Sequence, residues 1–335
     1  GKYTPYSELK IFRHTEHINK FLRGERVAPI YVRIKPTNIC NQRCFYCAYA
    51  NDSLFDAREV NQRESISWNI LPLCYSHIIE ALQTIEILGI DCSMITNAQA
   101  LENECAKYLK KAKWVRVSFD TAKAVTYEKT RGVNTYNRVC GNIETFAHIK
   151  DINCTLGINC VITHNNANEI FDICSLVKKL GVNNIKLSPI LVKSEMKKYH
   201  TQIKDKVTEQ IREAKSRLEN EKFRIIDKYT DDIALEGAYE KEYSRCHIQN
   251  FFTVIAADSK VYRCHQRAYM TSGEIGDLTK ASFKDIWYSQ ETVDKLDKFN
   301  PKKECMFRCA FDERNKLLND FFVIYLFYSH KVLFL

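Results

Sequence analysis

The sequence predicts an α/β protein, built as a partial (β/α) barrel followed by a small, loop-rich C-terminal domain. Strand-like and helical runs alternate from residue 30 to residue 220, and cysteines recur after residue 245, where this alternation has stopped. Strands that alternate with helices predict a parallel sheet with helical crossovers. About five strand–helix steps suit a partial barrel better than a closed barrel of about eight.

The elements of the barrel follow one another in a regular order. The strand-like runs are IYVRI (30–34), CSMIT (92–96), WVRVSFD (114–120), LGINCVIT (156–163) and NIKLSPIL (184–191). Helical runs separate or follow them, namely HIIEALQTIEILG (77–89), ENECAKYLKKA, YNRVCGNIETFAHIK, NEIFDICSLVKKLG and a charged run at 204–220. We therefore divide the chain into a polar lead-in, the barrel, a linker, the C-terminal domain and an atypical apolar tail, at residues 1–28, 29–221, 222–245, 246–318 and 319–335.

The composition is that of a folded protein with a modest basic charge. The chain has 335 residues, 45% of them apolar, 14 cysteines and a formal net charge of +9. The apolar share argues against global disorder. The charge permits a nucleic-acid partner without arguing for one. No run reaches the roughly 20 apolar residues that a membrane span needs.

The N-terminal segment GKYTPYSELKIFRH is polar and shows no secretory signal. We therefore expect a cytoplasmic protein whose cysteines stay reduced, because disulfides are rare in reducing compartments. This expectation favours metal-binding or redox interpretations of the cysteines over a disulfide framework.

Three closely spaced cysteines, Cys40, Cys44 and Cys47, form the motif CNQRCFYC soon after the first strand-like run. The carboxyl ends of parallel strands are where such folds bind ligands. Iron–sulfur clusters are held by cysteine thiolates, usually about four, so three thiolates would leave one iron open to a small molecule. Zinc is the chemical alternative, although a structural zinc site takes about four ligands and no histidine stands near the motif.

This motif, with an aromatic residue before its last cysteine, resembles the signature of radical S-adenosylmethionine (SAM) enzymes. The resemblance extends over residues 28–318. It implies a [4Fe–4S] cluster on Cys40, Cys44 and Cys47, with SAM bound to the remaining iron. Reductive cleavage of SAM would give methionine and a 5′-deoxyadenosyl radical that abstracts a substrate hydrogen. The partial barrel of this family agrees with the alternation of strands and helices.

Three further positions match family segments that contact SAM. The resemblance implies that Ser118, in VRVSFD, faces SAM, that Arg131, in TRG, approaches the SAM carboxylate, and that Tyr46 contacts the adenine through its backbone. The alternative interpretation of Ser118, Asp120 and Arg131 is a strand end and an ion pair at the surface. The sequence shows no candidate general base, so the catalytic residues are left open.

A second cysteine set lies in the loop-rich C-terminal part and consists of Cys246, Cys264, Cys305 and Cys309. AADSK forms a turn between two β-runs, so Cys246 and Cys264 could meet at the ends of a hairpin. Four cysteines suit either zinc or a fully ligated cluster. ADSKVYRC, GEIGDL, SFKDIWYS and the C-x3-C pair resemble the SPASM or twitch extension of radical SAM enzymes, which implies an auxiliary [4Fe–4S] cluster. The remaining cysteines fall mostly on apolar faces, which indicates buried thiols, at residues 74, 92, 105, 140, 154, 160 and 174.

The chain departs from the family in one place. The family carries a GGEP-like segment after its second strand that holds the amino group of SAM, but no glycine occurs here between Gly24 and Gly89. Glycine allows a backbone to approach a ligand closely. The segment before Ser93 also holds no second strand-like run, so the join near Leu71–Pro72 is interpreted as an internal deletion of that strand and its loop.

We therefore expect a radical SAM enzyme acting on a peptide, sugar or cyclitol, with a small donor protein such as flavodoxin or ferredoxin supplying electrons. One alternative is a catalytically impaired iron–sulfur protein that lost its SAM-binding segment. A further alternative is a zinc-stapled, basic nucleic-acid-binding module, against which the lack of interleaved aromatic and basic residues counts. The sequence leaves open the substrate, the reaction outcome and the oligomeric state.

Overall fold

A computed structural model of the chain describes residues 7–50, 60–67, 77–190, 196–234, 240–305 and 309–329. Contacts between residues divide the chain into two compact units. The barrel unit consists of Cys40–Ala57 and Pro72–Gly237. The C-terminal unit consists of Gly1–Ile39, Arg58–Leu71 and Ala238–Leu335.

The barrel unit contains an open, parallel sheet whose strands follow the chain order. Its strands are Ser93–Thr96 (β2), Trp114–Ser118 (β3), Thr155–Ile162 (β4), Asn184–Pro189 (β5) and Arg224–Asp227 (β6). Every neighbouring pair is parallel. Within the described residues the sheet does not close on itself, which confirms a partial barrel of α/β class.

Helices connect these strands, as the alternation predicts. They are Ile78–Ile87 (α2), Asn103–Leu109 (α3), Ala124–Arg131 (α4), Tyr136–Ile149 (α5), Ile170–Lys179 (α6), Met196–Thr201 (α7), Lys204–Leu218 (α8) and Tyr229–Ala234 (α9). The strand β6 and helix α9 lie inside the segment that the sequence suggested as a linker, residues 222–245. The strand RIID is only four residues long and carries no repeated alternation, so sequence periodicity gave no signal for it.

Side chains alternate between the two faces of the barrel sheet, as the period of a strand requires. Val115 and Val117 of β3 are fully buried and belong to one apolar cluster with Ile143 of α5. Arg116 and Ser118 point to the opposite face, where the burial of β3 is partial. One face of the sheet therefore builds the core, and the other presents polar groups.

The strand Tyr31–Ile34 (β1) belongs to the C-terminal unit, whereas the sequence suggested it as a barrel strand within residues 29–221. It pairs in parallel with Phe252–Ile255 (β7) along its whole length. A further backbone hydrogen bond of 2.8 Å, from Lys35 N to Ile255 O, continues the pairing. A short β-branched run specifies a strand, but tertiary packing selects its partner.

Few described residues connect the first cysteine motif to β2. Between Cys47 and Ser93 they form helix α2 and one isolated antiparallel bridge, from Ser65 to Thr37, and they contain no barrel strand. The join near Leu71–Pro72 and Cys74 lie outside the described residues. The deletion of a second strand therefore stays a prediction.

The C-terminal unit is built on a mixed sheet in the order β1-β7-β8-β9. The predicted hairpin around AADSK is present, with β7 antiparallel to Lys260–Tyr262 (β8), which in turn pairs with Glu274–Asp277 (β9). The fully buried Trp287 packs in its core, and its indole N–H donates to Val27 O at 2.8 Å. The helices of this unit are Thr15–Leu22 (α1), Phe283–Tyr288 (α10), Gln290–Asp297 (α11), Pro301–Glu304 (α12) and Asp312–Ser329 (α13).

The apolar tail begins as part of helix α13. Phe322 is 5% exposed, and its ring lies 4.6 Å from that of His247 and 5.6 Å from that of Phe21. Residues 330–335 lie outside the described residues. In the described part of the chain, no helix has the length and apolar character to cross a membrane.

The cysteines outside the two predicted metal sets are partly or fully buried wherever they are described. Cys154, Cys160 and Cys174 are buried, and Cys92, Cys105 and Cys140 are half-buried. Burial raises the pKa of each of these thiols above its ordinary value. These positions fit the interpretation of small apolar side chains in the core.

We predict that Gly273→Ala destabilises the C-terminal unit, because a Cβ at this position would lie 2.0 Å from Arg267 O. The backbone must shift to admit it, at a cost of about 2 kcal/mol in the free energy of unfolding. The matched control is Gly141→Ala in helix α5, where a Cβ meets nothing within 4 Å. Anaerobic denaturant titration measures both variants, and equal stability of the two would contradict the prediction.

Candidate functional site

The first cysteine motif forms a loop that is held against helix α4. Arg43 N donates to Arg131 O at 2.8 Å, and Phe45 N donates to Thr130 O at 3.4 Å. The buried side chain of Gln42 donates to Tyr127 Oη at 2.8 Å. These bonds fix the loop backbone at the C-terminal end of the helix, so the positions of its cysteines depend on α4.

A glycine makes this close approach possible. Gly132 ends α4 in the left-handed conformation, with φ of 69°. A Cβ here would lie 2.9 Å from both Cβ and O of Arg43. Glycine satisfies both the positive φ and the tight contact.

The thiols of the loop differ in exposure. Cys40 is exposed, whereas Cys44 and Cys47 are half-buried. Burial raises the pKa of the Cys44 thiol, and the nearby guanidinium of Arg131 acts in the opposite direction. Arg131 Nη1 lies 3.6 Å from Cys44 Sγ. A fixed cation therefore stands beside one of the three sulfur atoms.

A buried ion pair lies beneath the loop. Asp120 and Arg131 form it with side chains that are 0% and 5% exposed. Tyr46 Oη donates to Asp120 Oδ2, and Val161 N donates to Asp120 Oδ1 at 2.8 Å. The alternative interpretation of this pair as a surface contact is wrong, because both charges are removed from water.

The pKa values of both side chains that bond to the Asp120 carboxylate, Arg131 and Tyr46, are raised. Burial is the largest single effect and disfavours the charged guanidinium of Arg131, but Asp120, Tyr46 and Cys44 together outweigh it and raise the pKa of Arg131. Burial and the same carboxylate raise the pKa of Tyr46 well above its ordinary value. Arg131 is therefore a permanent cation, and Tyr46 a hydroxyl donor, at neutral pH.

The structure brings two of the three predicted SAM contacts together and places the third close by in the chain. Tyr46 and Arg131 share Asp120 as a partner. Ser118 ends β3 two residues before Asp120, in register with Asn159 of β4. The Tyr46 side chain is turned towards Asp120, an orientation compatible with a role for its backbone.

Sequence reasoning missed two polar groups of this network. Gln42 Oε1 accepts from Arg131 Nη1 at 3.4 Å. Asn166 is fully buried, and its side-chain amide donates to Asp120 O at 2.8 Å. Gln42 lies inside the motif CNQRC and could have been suspected for that reason. Asn166 lies in the loop after β4, where nothing in the pattern distinguished it.

A cluster of amide side chains joins the cysteine loop to the end of β2. Asn41 Nδ2 donates to Gln99 Oε1 at 2.9 Å, and Asn97 Nδ2 donates to Asn41 Oδ1 at 2.7 Å. The chain turns here through Ala98, which has a φ of 61°. The first cysteine motif is thus bonded to the carboxyl end of β2 as well as to α4.

The second cysteine set comes together in the C-terminal unit. Cys246, Cys264, Cys305 and Cys309 are all half-buried. Burial raises the pKa of Cys246 well above its ordinary value, and the other three thiols raise it further because their charges interact with it. In the described residues, no group of three His, Cys, Asp or Glu side chains is arranged to hold a single metal ion.

Backbone N–H groups point at these sulfur atoms. Cys264 accepts from the N–H groups of Arg267 and Gln266, Cys246 accepts from that of Gln249, and Cys309 accepts from that of Phe311. Such bonds stabilise thiolates and are among the features that tune iron–sulfur clusters. The donor set and its surroundings therefore fit a cluster held by four cysteines.

Comparisons with known proteins agree with this architecture. Residues 246–310 match the SPASM family, described as an iron–sulfur cluster-binding domain. SuiB of Streptococcus suis, solved with the precursor peptide SuiA, superposes with a TM-score of 0.57 and 17% identity over 89% of this chain and 73% of its own. Native anSMEcpe, solved with AdoMet, gives a TM-score of 0.56 and 17% identity over 89% of this chain and 97% of its own.

The chain is thus similar in fold to SuiB and anSMEcpe, and its C-terminal part matches the SPASM family. A probable GTP 3′,8-cyclase of Saccharolobus islandicus is 26% identical over 172 residues, which are 47% of this chain and 55% of that protein. The GTP 3′,8-cyclase of Clostridium perfringens is 27% identical over 230 residues, 62% of this chain and 69% of that protein. The match thus spans about half the length of the first of these relatives. The SPASM match supports the expected iron–sulfur cofactor of the C-terminal part, and AdoMet is bound in the structure of the neighbour anSMEcpe.

We predict that Arg131→Met destabilises the protein by about 3–5 kcal/mol, because it leaves the Asp120 carboxylate buried without its counter-ion. Adding Asp120→Asn should recover part of this loss, since the double variant buries no lone charge. Denaturant titrations of the single and double variants measure the coupling. Arg138→Met, which removes an exposed ion pair with Glu102, is the control and should cost less than about 1 kcal/mol.

Proposed function

We propose that this chain is a radical SAM enzyme that cleaves SAM reductively and removes a hydrogen atom from its substrate. The observation that carries the proposal is the loop of Cys40, Cys44 and Cys47, which is fixed on α4 beside the buried Asp120–Arg131 pair. Three thiols with an adjacent fixed cation suit a cluster that keeps one iron open for a small molecule.

The three cysteines of the loop would hold the catalytic [4Fe–4S] cluster. When bound, this cluster supplies the electron that cleaves SAM into methionine and a 5′-deoxyadenosyl radical, which takes a hydrogen atom from the substrate. The chain's own part is to position SAM. Arg131 would attract the SAM carboxylate: its Nε is buried and finds no acceptor among the described residues. Ser118 and the backbone of Tyr46 would contact the nucleoside.

The four C-terminal cysteines would hold one auxiliary [4Fe–4S] cluster, as an electron conduit or a substrate anchor. The SPASM match over residues 246–310 and the N–H donors around Cys246, Cys264 and Cys309 support this assignment. On this basis residues 246–318 act as the auxiliary domain and the barrel unit as the SAM-cleaving domain.

A peptide is the proposed substrate class. SuiB, whose structure includes the precursor peptide SuiA, superposes on 89% of this chain, whereas the match to the cyclase of Saccharolobus islandicus covers 47%. A nucleotide such as GTP is the second candidate, supported by that sequence relationship. A low-potential donor protein such as flavodoxin or ferredoxin would supply electrons in the cytoplasm, where thiols stay reduced.

We predict that anaerobic reconstitution loads about eight irons per chain, because each of two clusters holds about four. Cys40→Ala/Cys44→Ala/Cys47→Ala should keep about four, and the corresponding quadruple variant of the C-terminal cysteines should also keep about four. The control Cys105→Ala, in helix α3, should load as the wild type. Iron counting with absorption spectra measures this, and bound zinc without iron would instead support the structural zinc alternative.

A catalytically impaired iron–sulfur protein is the competing function, favoured by the absence of glycine between Gly24 and Gly89.

We predict that SAM binds the loaded chain and changes the electron paramagnetic resonance (EPR) spectrum of the reduced cluster. Arg131→Lys should weaken SAM binding, because a lysine cannot reproduce the planar fork of arginine. A loaded chain whose clusters ignore SAM would establish the impaired alternative.

A further inference from the structure

A buried ion pair lies in the C-terminal unit, outside the predicted sites. Lys241 Nζ and Asp312 Oδ1 are 3.0 Å apart, and both side chains are 1% exposed. Tyr243 Oη donates to the same oxygen of Asp312. Lysine is almost never fully buried without a partner, and an ion pair of this kind gains little stability over apolar packing. Its position therefore calls for a reason other than stability.

That position is beside the second cysteine set. Asp312 stands three residues after Cys309, and Tyr243 stands three residues before Cys246. Asp312 N donates to Cys309 O at 3.1 Å. The pair is thus tied to the loop that carries one of the cysteines.

Other charged groups face the same sulfur atoms. Arg267 Nη2 lies 4.0 Å from Cys305 Sγ. Arg263, which is 5% exposed, directly precedes Cys264 in the chain, and its guanidinium lies 4.3 Å from the ring centre of Phe299. The negative charge of Glu304, the last residue of α12, favours the charged form of Arg263. Lys241 differs from the two arginines because it has a dedicated carboxylate and hydroxyl to hold it.

A charged side chain close to these four cysteines changes the electron affinity of a cluster that they bind. Four thiolates give a [4Fe–4S] cluster a net negative charge, and reduction adds to it. A cation in a low-dielectric interior stabilises the reduced form more than the oxidised form, and net charge and hydrogen bonds at the sulfurs set cluster potentials. An anion held nearby, such as Asp312, moderates that effect.

We propose that Lys241 is a positioning residue that raises the reduction potential of the auxiliary cluster, and that Asp312 and Tyr243 hold it in place. This inference rests on the proposed auxiliary cluster at Cys246, Cys264, Cys305 and Cys309. It gives the buried pair a function in electron transfer rather than in folding alone. A purely structural pair would change stability and leave the potential untouched.

The test is an EPR-monitored redox titration of the reconstituted full chain carrying Cys40→Ala/Cys44→Ala/Cys47→Ala, so that only the auxiliary cluster reports. Lys241→Met should lower the equilibrium constant for reduction about tenfold, a shift of about 59 mV to more negative potential for one electron. Lys241→Arg should keep the potential near the parent value. The control Lys295→Met removes a cation on α11 that pairs with Glu291 and should leave the potential unchanged.

A second variant, Asp312→Asn, should shift the reduction potential in the direction opposite to Lys241→Met. It keeps the cation and removes the anion, so the potential should move in the positive direction. Opposite shifts in the two variants cannot come from a general loss of stability. If the cluster loads and neither variant changes its reduction potential, the inference about Lys241 is wrong, whereas the auxiliary cluster stands. Failure of the parent chain to load any iron at these cysteines would overturn the auxiliary cluster, and the inference with it, as iron counting would show.

Discussion

The buried pair of Asp120 and Arg131 is the interaction on which the first site depends. It joins the end of β3 to the last turn of α4, and the loop of CNQRCFYC bonds to both through Tyr46 and Gln42. Removing two charges from water is costly unless further hydrogen bonds satisfy them. Here Val161 N and Tyr46 Oη donate these further hydrogen bonds to the Asp120 carboxylate. The arrangement therefore fixes the loop only when all members are in place.

The two cysteine sets differ in how their sulfur atoms are surrounded. The first stands on a loop with one exposed cysteine, Cys40, and a guanidinium beside Cys44. The second set has four half-buried cysteines, with backbone N–H groups and the cations Lys241, Arg263 and Arg267 close to them. An exposed thiol suits a centre that must admit a small molecule, and a set without an exposed thiol suits one that only exchanges electrons. This contrast supports different tasks for the two proposed clusters.

Strand β1 shows that a local sequence pattern can predict a strand without predicting the strand with which it pairs. Its sequence, YVRI, has the β-branched character of a strand, and it stands directly before the cysteine motif, which favoured a barrel position. It pairs with Phe252–Ile255, and the ring of Tyr31 lies 5.3 Å from that of Phe252. The chain then leaves this unit at Ile39, and Cys40 begins the barrel unit. Pairing thus decided a placement that periodicity alone could not.

The sequence by itself determined the alternation of strands and helices, the open parallel sheet, the two cysteine sets and the hairpin between Cys246 and Cys264. These follow from local rules, since side-chain period and ligand type are written in neighbouring residues. Only the tertiary structure decided that β1 joins the C-terminal sheet, that Arg224–Asp227 joins the barrel sheet, and that Asp120 and Arg131 form a buried pair. It also brought Lys241, from a segment that the sequence suggested as a linker, to the second cysteine set. Such contacts join residues far apart in the chain, and their strength depends on burial, which no local pattern records.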